Sequence, residues 1–113
     1  MSIDLEATYE QMKQDTIDWF GEPMTNNLTV MVLGLVGESG EVADLLKKIQ
    51  RGSKTMEEVY SEFEDELIDV FHYWLMLVNM LNIDVEKVYQ RKREFNVTTV
   101  SYTHLTLPTI LLV

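Results

Sequence analysis

Two long apolar stripes, one on each side of a single glycine breaker, constrain this sequence more than any other feature. Met31, Leu35, Val42, Leu45 and Ile49 recur at alternating four- and three-residue steps, and Glu38 fills the one slot where that series calls for another apolar side chain. Beyond Gly52-Ser53-Lys54 the pattern restarts with Val59, Phe63, Val70, Trp74, Leu77 and Leu81, and Glu66 makes the same interruption. The spacing predicts two long helices that fold back on each other, each carrying a carboxylate on the face it presents to its neighbour.

Each interrupting acid has a partner three residues on, Glu41 after Glu38 and Asp69 after Glu66. Residues at i and i+3 share a helix face, so each pair can aim two carboxylates at one place. Both pairs are centred 14 residues from the middle of the breaker. In an antiparallel hairpin they therefore stand at one height, about 20 Å above the turn at ~1.5 Å of rise per residue. Clustered anions on a buried face must take up protons, pair with bases or hold a cation.

The rest of the chain reads as further helix. Residues from about Asp4 to Phe20 carry Leu5, Tyr9, Met12, Thr16 and Trp19 on one stripe, ended by Gly21-Glu22-Pro23. Thr25, Asn26 and Asn27 offer N-caps for the second helix, which is expected to run to about Arg51. Gly34, Gly37 and Gly40 lie inside it at a cost of roughly 1 kcal/mol each, for which close approach of another helix is the expected compensation. Lys47, Lys48 and Arg51 cluster in its last turns, where they either complement the helix dipole or reach a phosphate chain. Thr55 and Glu58 form a T-x-x-E capping box that starts the third helix, expected to run to about Leu81 with Asn82 as its stop. Asp84 caps a short fourth helix, on which Lys92 and Asn96 share a side at i and i+4.

After Asn96 the composition changes. Positions 97–113 hold no charged group apart from His104, and nine of the 17 residues are Val, Ile or Thr. The string from Val100 to Ile110 resembles adaptor-derived sequence joined to a truncated reading frame. The expectation is a functional domain over 1–96 and an anomalous tail over 97–113 that does not continue the fourth helix.

Composition bounds the partners. A length of 113 residues fits one small domain with a modest core, so burial against a second copy is plausible. With 46% hydrophobic residues and no apolar run long enough to span a bilayer, an ordered protein with no membrane partner is expected. The absence of cysteine and of an apolar leader makes a cytoplasmic location the default. A net charge of -10 opposes binding to a nucleic acid polymer.

With the acidic pairs placed, the sequence resembles the MazG-like superfamily of all-α nucleoside triphosphate pyrophosphatases, whose signature is E-x-x-E, a spacer and E-x-x-D. Here it reads Glu38-Ser39-Gly40-Glu41 and Glu66-Leu67-Ile68-Asp69, with 24 residues between Glu41 and Glu66. The resemblance covers roughly Leu28 to Asn96. It implies an all-α, four-helix, bundle-forming domain, a long antiparallel pair with N- and C-terminal helices, assembled as a homodimer or homotetramer. It also implies hydrolysis of a nucleoside triphosphate substrate between the α and β phosphates, with Mg2+ held by Glu38, Glu41, Glu66 and Asp69. Oxygen ligands suit that hard cation. Glu41 is the acid that could instead take a proton from the attacking water.

The same resemblance places Lys92 and Asn96, as K-x-x-x-N, against the phosphates, with Lys48 a further candidate. The arginine and tyrosine that usually follow are replaced here by Thr98 and Thr99, a departure that bears on phosphate binding. Trp19, Phe20 and Tyr9 are candidates to stack a nucleobase, against the competing expectation that aromatics at helical spacing are core; Trp74, inside the stripe, is expected in the core. A deoxynucleoside triphosphate is favoured on resemblance alone.

Two other classes compete. One is a non-catalytic helical dimer whose acids pair with Lys47, Lys48 or Arg51, although buried ion pairs often fail to offset desolvation. The other is a di-iron-like bundle, for which Asp69-x-x-His72 supplies one carboxylate-x-x-His pair where two are needed.

Overall fold

In the computed structural model, which describes residues 2–106, helix α1 spans Leu5–Phe20, a 3₁₀ turn spans Glu22–Asn26, and α2 (Leu28–Gln50), α3 (Met56–Met80) and α4 (Val85–Thr106) follow. The all-α architecture is as expected. Two compact units result, one up to Asn82 and one from Ile83 onward. Among the described residues no helix is long and apolar enough to cross a membrane.

Local chemistry sets each boundary. Asp4 caps α1 by accepting from the Ala7 amide at 3.1 Å, and Gly21 closes it at φ 92°, where its amide donates to the Ile17 carbonyl. Asn27 caps α2 by accepting from the Val30 amide at 3.1 Å. At the other end of α2, Gly52 adopts φ 76°, and the Ser53 and Lys54 amides return to the Lys48 carbonyl at 3.0 and 3.2 Å. Only a residue free of a Cβ takes that turn without strain. The capping box that follows is complete: the Glu58 amide donates to Thr55 Oγ1 at 3.2 Å, and the Thr55 amide donates to Glu58 Oε1 at 3.0 Å.

Packing of α2 on α3 builds the first unit, with α1 laid against α3. Met31, Met76 and Leu77 form the centre of its core, flanked by Tyr9, Met12, Leu35, Tyr73 and Met80; Leu45 and Val59 are buried nearer the turn. The α2 stripe is as read: Met31 and Leu45 are buried, and Leu35, Glu38, Val42 and Ile49 are half-buried. In α3 the stripe holds through Val70, and Leu77 is buried as read, but Trp74 is 36% exposed and Leu81 53%, whereas Tyr73 and Met80 face the core. The buried face keeps the alternation of four- and three-residue steps through Val59, Phe63, Glu66, Val70, Tyr73, Leu77 and Met80, whereas the expected series took two four-residue steps in a row to reach Trp74. Trp74 is thus not core and instead stacks on Phe71 with centroids 6.0 Å apart.

The glycine series divides in the same way. A Cβ on Gly34 would overlap the Tyr73 ring, so close helix approach holds there. Gly37 and Gly40 have open space around them, because they lie on the outward side of α2.

The largest correction concerns α4. It is not short, and the residues after Asn96 do continue it, through Thr106. Between Val85 and Thr106 there is no glycine or proline, and the β-branched residues of 97–106 lower helix propensity by only about 0.5 kcal/mol each relative to the best formers. The Asp84 cap is present, accepting from the Lys87 amide at 3.1 Å. The remainder of the expected tail, 107–113, lies outside the described residues.

Candidate metal centre and adjoining pocket

The two interrupted stripes meet where their spacing put them. One carboxylate oxygen from each of Glu38, Glu66 and Asp69 lies within 4.8 Å of the other two, with Glu38 and Glu66 half-buried and Asp69 exposed. Helix α2 contributes the first and α3 the other two. Glu41, one turn beyond Glu38, is exposed and stands outside this trio, close enough for its charge to act on Glu38.

Electrostatics at the trio are unfavourable without a counter-charge. Glu38 is pushed up from its usual 4.5 to about 7, chiefly by burial, then by a hydrogen bond with Glu66 and by the negative charges of Asp69, Glu66 and Glu41. With Glu38 ionised, Glu66 Oε2 is buried with no hydrogen-bond partner among the described residues. An unpaired buried carboxylate oxygen costs several kcal/mol by order of magnitude unless something meets it. The lysines and arginine of the salt-bridge alternative do not. The ion pair found among the described residues joins Lys54 to Glu58 at 3.9 Å, away from the trio. Nor does the trio include a histidine, which removes the donor that a di-iron reading requires.

Three oxygen donors, one of them orphaned, fit a hard divalent cation such as Mg2+, which is held by a few carboxylates with the rest of its shell left to water and phosphate.

A pocket of about 320 Å³ opens beside Glu38 and Asp69, at the lower end of the range for small-molecule sites. Its other walls come from α1 and the 3₁₀ turn (Thr16, Trp19, Phe20, Met24) and from His72 and Tyr73 on α3. Trp19 and Phe20 are 65% and 68% exposed and meet edge to face, so the core alternative for Trp19 fails. The last turn of α1 lines the pocket instead. Thr16 is 4% exposed; its hydroxyl donates to the Met12 carbonyl at 2.8 Å and lies 3.3 Å from His72 Nε2. Burial lowers the His72 pKa from the usual 6.5, against the opposing charges of Asp69 and Asp15, and keeps the ring neutral.

Sequence reasoning missed Thr16, His72 and Tyr73 as pocket residues. Thr16 carried a signal, since a polar residue at a stripe position is the same kind of interruption as Glu38.

The basic candidates divide between the two units. Lys48 is ten residues beyond Glu38, about 15 Å along α2, and does not line the pocket. Lys92 and Asn96 are exposed on α4, in the second unit, where the Lys92 ammonium lies 5.1 Å from the Phe95 ring centroid.

Comparison with known proteins agrees with this geometry. The family model for the MazG nucleotide pyrophosphohydrolase domain matches residues 26–94, a stretch that contains all four motif acids. The Gene 37 protein of Mycobacterium phage L5 is 38% identical over 66 residues, covering 57% of this chain; the chain spans 58% of that relative's length. No solved structure matches the chain. With the family matched over more than half its length and the two acid-bearing helices folded together, the chain belongs to the MazG nucleotide pyrophosphohydrolase domain family.

Proposed function

We propose that this chain hydrolyses a nucleoside triphosphate, with a deoxynucleotide favoured, to the monophosphate and pyrophosphate in the presence of Mg2+. The observation that carries the reading is the convergence of Glu38, Glu66 and Asp69 around a buried oxygen that has no partner. These three residues would hold the cation. When bound, it supplies charge neutralisation to the triphosphate and makes a nearby water more acidic.

The chain's own groups divide the remaining work. Glu41, exposed one turn from Glu38 and outside the trio, would take a proton from the attacking water. Water adds to the α phosphorus, the bond from that phosphorus to the bridging oxygen breaks, and pyrophosphate leaves. Trp19 offers its exposed face to the base, and Lys48, Lys92 and Asn96 serve the phosphates, Lys48 from a second copy of the chain because of its distance from the trio. A homodimer would also cover Leu33, Val36, Leu67 and Ile68, each more than half exposed. Cytoplasmic clearing of unwanted nucleotides is the role this chemistry serves.

Product analysis tests the reading. A panel of nucleoside triphosphates is incubated with the protein and Mg2+, and pyrophosphate is separated from orthophosphate. Pyrophosphate with monophosphate is expected, lost in Glu66→Gln; orthophosphate with diphosphate, or no consumption of any member, contradicts it.

A further inference from the structure

The hydroxyl of Thr16 has one hydrogen, and the Met12 carbonyl takes it at 2.8 Å. Toward His72 that oxygen can only accept, so the 3.3 Å contact places the ring's single N–H on Nε2 and leaves Nδ1 as a bare lone pair. No hydrogen bond is made by Nδ1 among the described residues, and it is not fully buried. His72 lines the pocket that adjoins the carboxylates. Thr16, which fixes the tautomer, lies outside the stretch matched by the family, 26–94.

We infer that His72, oriented by Thr16, is a specificity-determining residue that accepts a hydrogen bond through Nδ1 from the exocyclic amine of an adenine or cytosine base. This rests on the proposed nucleotide hydrolysis for the identity of the ligand. Thymine and uracil present a carbonyl where cytosine presents its amine. Their oxygen would face the Nδ1 lone pair with no proton between them, leaving two acceptors unpaired. The lowered proton affinity of His72 keeps it from rescuing those bases as a cation near neutral pH.

The test compares kcat/KM for dATP, dCTP and dTTP in the wild type, His72→Gln and His72→Asn. Glutamine reaches the position of Nε2 and keeps the Thr16 contact but has nothing at Nδ1; asparagine puts its amide oxygen near Nδ1. The wild type is expected to favour an amino-bearing base over thymine. His72→Gln reduces that ratio about tenfold, through KM, with dTTP little changed, and His72→Asn restores most of it. An unchanged ratio in His72→Gln overturns the inference. If the wild type hydrolyses none of the three and no other member of the triphosphate panel, the proposed function has failed, and binding alone decides the role of His72. In that case the 15N resonance of His72 Nδ1 is followed as dCMP is added, with dTMP as control. Movement with dCMP alone supports the role; no movement, or equal movement with both, overturns it.

Discussion

Two levels of the α2–α3 pair are built from the same stripe and solve opposite problems. Near the turn, Leu45 and Val59 are buried at 4% and 1%, and the connection is held by the Gly52 turn and the Thr55–Glu58 box. About two helical turns further from that connection the same face carries Glu38 and Glu66, half-buried beside exposed Asp69, with one oxygen unpartnered. The first level contributes stability from local grammar and apolar burial. The second lowers it, so folding alone does not account for the interruption of the stripe.

The largest separation of the two levels comes from Glu66→Gln. Hydrolysis is expected to fall at least about 100-fold, while the circular dichroism spectrum and cation-free thermal stability are kept or improved, because a buried charge has been removed. Leu45→Ala should do the reverse. It costs about 3 kcal/mol in urea unfolding and leaves the preference among nucleotides intact, since the pocket is lined by other residues. Gly34→Ala sharpens the contact between the helices: its Cβ drives the Tyr73 ring aside, for a loss of about 2 kcal/mol. In contrast, Gly40→Ala, with open space around it, gains up to about 1 kcal/mol.

The smallest effect is a pH dependence peculiar to the acidic level. Folded Glu38 binds its proton more tightly than the unfolded chain does, at about 7 against 4.5. The stability it contributes is therefore complete below pH 4.5 and is lost as pH rises through about 7. His72 acts in the opposite sense: its lowered pKa costs stability only as pH falls below 6.5, so the Glu38 contribution is read above that value. Without divalent cation, Tm should drop between pH 6.5 and 8 by about 2 °C, an effect of about 0.4 kcal/mol after solvent screening. Glu38→Gln should flatten that slope.

Much of this comparison was legible in the sequence, for a physical reason. The cap and stop signals act over three or four residues, so Asn27, Gly52, Thr55 and Asp84 marked their boundaries locally. Glu38, Glu66 and Asp69 could be brought together because a hairpin of two straight helices turns equal sequence distance from the turn into equal height. What the reading of the pattern lacked was an unbroken alternation in α3 and third-party packing. The seam in α3 runs through Tyr73 and Met80 instead of Trp74 and Leu81 because it keeps alternating steps of four and three, where the expected stripe took two fours in a row. The pocket depended on where α1 lies, and nothing in the spacing of Thr16 or Trp19 specified which part of α3 they would face. The helical course of 97–106 was obscured by composition, which is a weaker guide than the absence of a helix breaker.

The central claim is that the acidic level is a divalent-cation site, and thermal unfolding with added Mg2+ tests it most directly. For the wild type at pH 8, Tm should rise with Mg2+, and further with Mg2+ and a triphosphate together. Glu66→Gln and Asp69→Asn should fail to respond, although both remain folded. An equal rise in the variants, or none in the wild type at millimolar Mg2+, would contradict the account.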